Sequence, residues 1–146
     1  MNIQYKFLNE LTDDERKIRT SVFIEEQGLT PECEFDDIDA HSDHIIIYVD
    51  DNPAACCRYF CDNDEYRIGR VAVLEDYRGL GLGEMLMDAA EDMIFSNGGT
   101  KAVVHAQVRV KGFYKKCRYK ETGEPFKEDG IRHIIMEKVL TNNTLL

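Results

Sequence analysis

The residues from Arg78 to Gly83, Arg-Gly-Leu-Gly-Leu-Gly, have the types and spacing of an anion-binding turn. Glycine has no Cβ, so the backbone N–H groups of such a turn can close around a phosphate. A helix that begins directly after the turn adds free N–H donors and a partial positive charge. Arg78 adds a full charge at the rim. This segment, the glycine turn, therefore predicts a site for a phosphate-bearing ligand.

A predicted strand and a predicted helix flank the glycine turn. The strand is the apolar run from Ile68 to Leu74. In the helix, apolar residues recur every three or four positions: Leu82, Met85, Leu86, Ala89, Ala90, Met93 and Ile94. The order strand, turn and helix is the one that places a phosphate at a helix N-terminus.

The spacing of the glycines separates the known phosphate-binding patterns. A Walker loop needs Gly-Lys-Ser/Thr, whereas this turn continues as Gly83-Glu84-Met85. The dinucleotide pattern G-x-G-x-x-G also fails, because Gly79, Gly81 and Gly83 alternate. The pattern that fits is Arg-x-x-Gly-x-Gly.

Arg78, Gly81 and Gly83, with the strand Arg70-Val71-Ala72-Val73 before them, resemble the acetyl-CoA pyrophosphate loop of the GNAT superfamily of N-acetyltransferases. The segments 19–27 and 128–134 resemble its ElaA/YjcF-like branch. The resemblance implies acetyl-CoA as cosubstrate, with a pantetheine arm paired to the strand and a backbone N–H near Val73 facing the thioester oxygen. The coenzyme contacts that it implies are Val71, Ala72, Val73, Arg78, Gly79, Leu80, Gly81, Leu82, Gly83, Glu84 and Phe113.

The resemblance also implies the fold. It is an α/β (α+β) domain with a central mixed, mostly antiparallel sheet of about six to seven strands, splayed in the middle and flanked by helices. The chain of 146 residues is long enough for one domain with a real core, predicted for residues 1–140, followed by a C-terminal tail at 141–146.

Near the N-terminus, Thr12 to Glu15 has the pattern of a capping box, in which the Thr12 hydroxyl accepts from the first turn and Glu15 reaches back. The helix is expected to run to about Gln27 and to end at Gly28. Residues 29–43 are expected to form a long acidic loop.

Acetyl transfer to an amine needs a base for the amine and an acid for the departing thiolate. The family often places a tyrosine after the strand that ends at Ala106, and Tyr114 occupies that position. Reference pKa values of about 10 for phenol and about 8.5 for thiol make its proton transfer downhill or close to level. The base is less determined: His133 and Glu26 are the leading candidates, and Glu25, His105 or a relayed water stay open.

Charge is distributed unevenly along the chain. Residues 25–51 hold ten Asp or Glu and no Lys or Arg, whereas residues 101–120 hold seven Lys or Arg and no acid. The acidic segment is expected to line the acceptor mouth and to favour a cationic amine. Basic residues between 109 and 118 are expected to meet the outer phosphate of coenzyme A.

The composition of the chain limits the classes of binding partner that we expect. The net charge of −10 argues against nucleic acid, and no apolar run or signal peptide points to a membrane. Five cysteines without a disulfide framework indicate a reducing cytoplasm. The run from Asp36 to His44 lacks the central glycine of a calcium loop, so no metal is predicted. A homodimer is left open.

One departure from the family pattern concerns backbone geometry. Arg118 stands where a glycine is common after the tyrosine helix, and it is expected to be strained if that backbone is left-handed. Two rival functions are also left open. One is an acyl-CoA-binding module without turnover, and the other is an acetyltransferase that acts on protein lysines or N-termini.

Overall fold

Seven strands form one mixed sheet in the computed structural model, which describes residues 1–141. The strands are β1 (Ile3–Leu8), β2 (Asp43–Val49), β3 (Asn52–Asp62), β4 (Glu65–Val73), β5 (Lys101–Gln107), β6 (Lys120–Glu128) and β7 (Ile131–Val139). Their order is β1-β2-β3-β4-β5-β7-β6, and every neighbouring pair is antiparallel except β4 and β5. The predicted mixed, mostly antiparallel sheet is confirmed. Of the predicted tail, residues 142–146 lie outside the described part.

Three of the antiparallel connections are two-residue turns with positive φ. They are Asp50-Asp51, Asn63-Asp64 and Asp129-Gly130. Aspartate, asparagine and glycine tolerate the left-handed backbone that a two-residue hairpin turn requires. Short polar residues at these places therefore set the register of the sheet.

Four α-helices accompany the sheet: α1 (Asp13–Arg19), α2 (Pro31–Glu34), α3 (Leu82–Ser96) and α4 (Lys111–Lys116). A π-helical segment, Thr20–Glu26, continues α1, so the predicted helix to Gln27 has two geometries. The membrane-span criteria of length and hydropathy are met by no helix within residues 1–141.

Two local predictions near the N-terminus are wrong. The Thr12 side chain makes no capping hydrogen bond. The Glu15 side chain is fully buried and contacts Arg19 and His44 instead of reaching back to the helix start. The loop predicted at 29–43 contains α2 and a 3₁₀ segment, Asp37–His41. Thr30 caps α2 by accepting from the Cys33 N–H, and Pro31 follows at the first helical position.

The apolar core has one part on each face of the sheet. The larger part includes Leu86, Ala90 and Ile94, from the inner stripe of α3, packed on β2, β3, β5 and β7. The smaller part joins Ile18 and Val22 to the other face of β2 and β3. Alternate residues of β2 and β3 therefore pack against the helices on opposite faces of the sheet.

The sheet opens between β4 and β5. These parallel strands pair only at Tyr66–Ala102, Arg67–Val103 and Ile68–Val104, although both strands continue. Arg70 follows with a φ of 51°, and the pairing of β4 with β3 shifts register beside it. Such a bulge bends a strand and increases its twist. The predicted splay is confirmed, and the parted stretch leaves one edge of β4 without a strand partner from Gly69 to Val73 in the described chain.

Candidate active site

The glycine turn connects the end of β4 to the start of α3. Gly79 and Gly81 have φ of 83° and 80°, a left-handed backbone that side chains other than glycine rarely adopt. Gly81 is the residue before the first turn of α3, whose leading N–H groups have no partner within the helix. The turn therefore presents backbone donors at a helix N-terminus, as an anion site requires.

Gly83 is required for a different reason. A Cβ built at this position would lie 3.0 Å from two ring atoms of Phe113. Phe113 also contacts Tyr114 edge-to-face, with ring centroids 5.0 Å apart. The absence of a side chain at Gly83 thus allows α4 to approach the glycine turn. Phe113, which the resemblance implies as a coenzyme contact, lies at this close approach.

Arg78 is held by two groups of the protein. Its Nη2 atom lies 2.9 Å from both carboxylate oxygens of Glu26, and its Nε donates to the Val73 carbonyl at 3.0 Å. The Glu26–Arg78 pair joins the π-helical segment to the glycine turn. A cavity lies beside the parted stretch of β4 and β5. Glu26, predicted as a catalytic residue, does not line it.

A cavity of about 570 Å³ lies beside the parted stretch of β4 and β5. Its walls come from β3, β4, β5 and β7, from the segment 23–38 and from the start of α4. Arg58, His105, Gln107 and His133 line it and alternate with residues of the larger core, so they share the face away from α3. Tyr114 lines the same cavity. Two of the three predicted catalytic residues thus meet here.

The Tyr114 side chain is 9% exposed and packs between Phe113 and Tyr119. Burial raises the pKa of Tyr114 well above its ordinary value, and the nearby Cys57 and Cys117 thiols add to the shift. A raised pKa keeps the phenol protonated at neutral pH, so Tyr114 is suited to donate a hydrogen bond to a departing sulfur. Its role as general acid stays a prediction.

His133 has a defined tautomer. Its Nδ1 lies 2.8 Å from the Ile131 carbonyl, which can only accept, so Nδ1 carries the hydrogen. In a neutral imidazole the other ring nitrogen, Nε2, holds the lone pair, and it lies 3.9 Å from a carboxylate oxygen of Glu128. Glu128 also contacts His105 Nδ1 at 3.2 Å, and this hydrogen bond lowers the pKa of the Glu128 carboxyl. An acidic residue thus links two imidazoles on the cavity wall.

Behind the cavity lies a buried ion network. Arg19, with no exposed surface, contacts Glu34 and Asp39 at 2.7 Å and Glu15 at 2.8 Å. Arg58 contacts Asp36 at 2.6 Å and Asp39 at 2.9 Å. Buried carboxylates need such partners, since an unpaired one is costly. Further members are Arg70, which reaches Asp36 at 3.2 Å, and His44, which reaches Glu15 at 2.8 Å.

This network changes the role expected for the acidic segment. Glu32 and Asp36 do line the cavity, but Asp36 is paired with arginine, and Glu34 and Asp39 are buried behind it. Their negative charge is offset by the arginines of the network. The preference of the acidic segment for a cationic acceptor stays a prediction that rests on its other acids, such as Glu32. Glu15, Asp39 and His44 could otherwise hold a metal ion, but the Arg19 guanidinium already contacts two of them.

Sequence reasoning missed several residues of the cavity, notably Arg58, Arg67, Gln107 and Glu128. Gln107 donates to Gln27 at 3.0 Å and accepts from Arg109 at 2.9 Å, which closes one end of the wall. A signal was available at Arg58 and Arg67, because an arginine inside an apolar strand needs a buried partner or a ligand.

Comparison with known proteins agrees with this geometry. The family model described as an acetyltransferase (GNAT) domain matches residues 9–140. The uncharacterized N-acetyltransferase YjcF of Bacillus subtilis is 31% identical over 122 residues, which are 83% of this chain and 87% of YjcF. The Escherichia coli protein ElaA is 30% identical over 127 residues, 84% of this chain and 83% of ElaA.

Solved structures give the same result. The ElaA crystal structure superposes with a TM-score of 0.81 at 27% identity, covering 94% of this chain and 99% of ElaA. An acyl-CoA N-acyltransferase of Pseudomonas aeruginosa superposes with a TM-score of 0.83 at 26% identity, covering 94% of this chain and all of that one. This chain belongs to the GNAT acetyltransferase family, in the branch that contains YjcF and ElaA.

Proposed function

We propose that this protein transfers an acetyl group from acetyl-CoA to a primary amine, by direct attack in a ternary complex. The observation that carries the proposal is that one opening in the sheet joins three features: the glycine turn, the unpaired edge of β4 and the cavity lined by Tyr114 and His133. The coenzyme supplies an activated thioester. The chain supplies positioning, proton movement and electrostatic stabilisation.

The donor side rests on backbone groups. The N–H donors of Gly79 to Glu84 would hold the pyrophosphate, and Arg78 would exchange Glu26 for a phosphate oxygen. The edge of β4 from Val71 to Val73 would pair with the pantetheine arm, and a backbone N–H near Val73 would face the thioester oxygen. Phe113 would pack against the arm beside Gly83.

The acceptor side rests on His133. We assign the base to His133 and not to Glu26, because His133 lines the cavity whereas Glu26 does not. His133 takes a proton from the amine, whose nitrogen forms the new bond to the acetyl carbon. The carbon–sulfur bond breaks and Tyr114 donates a hydrogen bond to the departing sulfur. The sulfur takes up one proton from water, and His133 releases to water the one that it took from the amine.

We further propose that the protein works in a reducing cytoplasm. All five cysteines are free thiols, and Cys56, Cys57 and Cys117 are buried. Burial raises the pKa of the Cys57 thiol, so this group stays protonated and inert.

A thiol-release assay with acetyl-CoA tests the proposal. Polyamines, aminoglycosides, amino acids and basic peptides would be compared as acceptors, with the acetylated product identified by mass spectrometry. We expect acceptor-dependent release for at least one class of amine. Tight coenzyme A binding without release from any acceptor would instead show an acyl-CoA-binding module, and acetylation of basic peptides alone would show a protein acetyltransferase.

A further inference from the structure

The cavity contains four arginines, of which two are neutralised by neighbours. Arg58 is bound to Asp36 and Asp39, and Arg70 is bound to Asp36. Of the other two, Arg109 has no ion pair within residues 1–141, and Arg67 has one long ion pair through its Nη2 atom. The nearest carboxylate oxygen to Arg67 belongs to Glu65, at 3.9 Å on the same strand, and Arg109 is held by the neutral amide of Gln107.

Arg67 is also short of hydrogen-bond acceptors. Its side chain is 28% exposed, yet its Nε atom is buried and has no partner in the described chain. The Nε of the deeply buried Arg58 is likewise unpartnered. Both guanidinium groups lie over the Phe60 ring, at 5.3 Å for Arg67 and 5.9 Å for Arg58. A cation that is fixed in place and partly stripped of water favours an anionic ligand.

The position of Arg67 relative to the opening defines an orientation. Arg67 pairs with Val103 in the closed part of the β4–β5 ladder, whereas Val71 and Gln107 lie beyond the point where the strands part. At about 3.3 Å per residue, Gly69 lies about 7 Å and Val71 about 13 Å closer to the opening. An anion at Arg67 would therefore occupy the closed end of the cavity, and the rest of the ligand would extend toward Tyr114 and His133.

The acidic residues that line the cavity lie away from Arg67. Glu128 is bound to His105, near the opening, whereas Glu32 and Asp129 are exposed at the rim. They do not contact Arg67, whose one ion pair is the long one to Glu65, and they are placed to favour the amino end of a ligand. The acidic residues of the cavity thus lie toward the opening and the rim, where the exposed Arg109 beside Gln107 also lies.

We propose that Arg67 forms an anion subsite, so that the acceptor is a small amine that also carries a carboxylate. This inference rests on the proposed acetyl transfer and names its acceptor class: an amino acid whose carboxylate binds Arg67 and whose amine reaches His133. A planar guanidinium recognises a carboxylate with two parallel hydrogen bonds, and the cavity has the size of a small-molecule site. The cationic acceptor expected from the acidic segment is replaced by one that is both cationic and anionic.

Matched acceptors test the subsite. Straight-chain ω-amino acids of two to five carbons would be compared with their primary amides, which keep the amine and lose the charge. We expect kcat/KM to be about 10- to 100-fold higher for the acid than for its amide, the usual effect of a charge-assisted hydrogen bond. Arg67→Met keeps the contact with Phe60 and is expected to bring the acid down to the level of the amide, without a change in the KM for acetyl-CoA.

Arg132→Met is the matched control, because Arg132 is exposed and does not line the cavity. It is expected to keep the preference for the acid. Equal use of acids and amides by the unmodified protein, or a preference that survives in Arg67→Met, would overturn the subsite.

A binding measurement separates this subsite from the proposed function. Calorimetric titration of the same acids and amides into the coenzyme A complex needs no turnover. Carboxylate-dependent binding that Arg67→Met abolishes would support the subsite even if no acceptor released thiol, in which case the proposed transfer alone would fail. Absence of binding by every acid, or equal binding of acids and amides, would overturn the subsite itself.

Discussion

At the scale of single residues, Tyr114 shows how burial alters a predicted role. Its position in the sequence indicates a general acid, and the structure places it on the cavity wall. Burial raises the pKa of its phenol, which keeps the group protonated and able to donate a hydrogen bond to the departing sulfur of the proposed reaction.

Replacing Tyr114 with phenylalanine removes this donor and keeps the ring packing. We expect kcat to fall by about 100-fold, as for the loss of one donor to a developing charge, with the KM for acetyl-CoA kept. Steady-state kinetics with a good acceptor measure both values. Tyr59→Phe is the control, because Tyr59 is buried in the core outside the cavity. A kcat for Tyr114→Phe as high as that of the control would remove Tyr114 from the mechanism.

Arg118 illustrates strain at one residue. The expected left-handed backbone is present, with a φ of 73°, at the end of α4 where glycine is the usual residue.

We expect Arg118→Gly to raise the free energy of unfolding by about 0.5 kcal/mol, because relief of the left-handed strain exceeds the added entropy of the unfolded chain. Urea denaturation measures the change. Lys116→Gly also removes a basic side chain, but Lys116 is the last residue of α4, so the change should lower stability by up to about 1 kcal/mol. Lower stability in Arg118→Gly would show that the arginine makes compensating contacts.

At the scale of elements, the glycine turn and α3 act as one unit. The left-handed Gly81 directs the chain into α3 so that the first N–H groups of the helix face the turn. Gly98 has a similar backbone, with φ of 90°, but lies after the other end of α3. The two glycines therefore separate an effect on the fold from an effect on the coenzyme site.

Gly81→Ala and Gly98→Ala are each expected to cost about 1 kcal/mol of stability, since both force a side chain into a left-handed backbone. Only Gly81→Ala should weaken coenzyme A binding, by about tenfold or more, because a tenfold change corresponds to about 1.4 kcal/mol. Calorimetric titration with coenzyme A distinguishes them. Equal affinity in the two variants would place the pyrophosphate elsewhere.

At the scale of the whole molecule, the buried ion network ties the N-terminal segment to the sheet. His44 places Nδ1 against Glu15 and Nε2 against the Asp39 carbonyl, so both nitrogens face acceptors. Burial alone would lower the pKa of His44, but these contacts raise it overall. Burial alone would also raise the pKa of Asp39, but hydrogen bonding and charge from Arg19 and Arg58 lower it overall.

Stability is therefore expected to fall on both sides of neutral pH. The contribution of Asp39 is present above its unfolded pKa of about 3.9 and is lost as pH falls further. The contribution of His44 is present below its unfolded pKa of about 6.5 and is lost as pH rises through the higher folded value. Glu34 acts in the opposite sense to Asp39, since burial raises its pKa, so it offsets part of the loss in acid.

Urea unfolding between pH 3 and 9 measures this profile, within about the range where these groups titrate. His44→Gln should lose the decline on the alkaline side and keep the decline in acid. An alkaline decline of the same size in His44→Gln would assign it to another group.

The sequence by itself determined the local geometry of the proposed coenzyme A site. The glycine turn, the strand before it and the helix after it are contiguous, and steric rules on neighbouring residues decide their geometry. For the same reason, the order of strands and helices was predictable over nearly the whole chain. The predictions that failed are also instructive. Glu15 left its capping position because Arg19 and His44 attract it, and His44 lies 29 residues away.

Only the tertiary structure decided which charged side chains around the proposed acceptor cavity are paired. Asp36 and Asp39 look like free acids in the sequence, but they are neutralised by Arg58, which lies 22 and 19 residues further along the chain. Arg67, in contrast, has only a long ion pair with Glu65, and its buried Nε atom has no partner in the described chain. Charges act through space and depend on burial, so no local pattern reveals which of them is paired and which is available to a ligand.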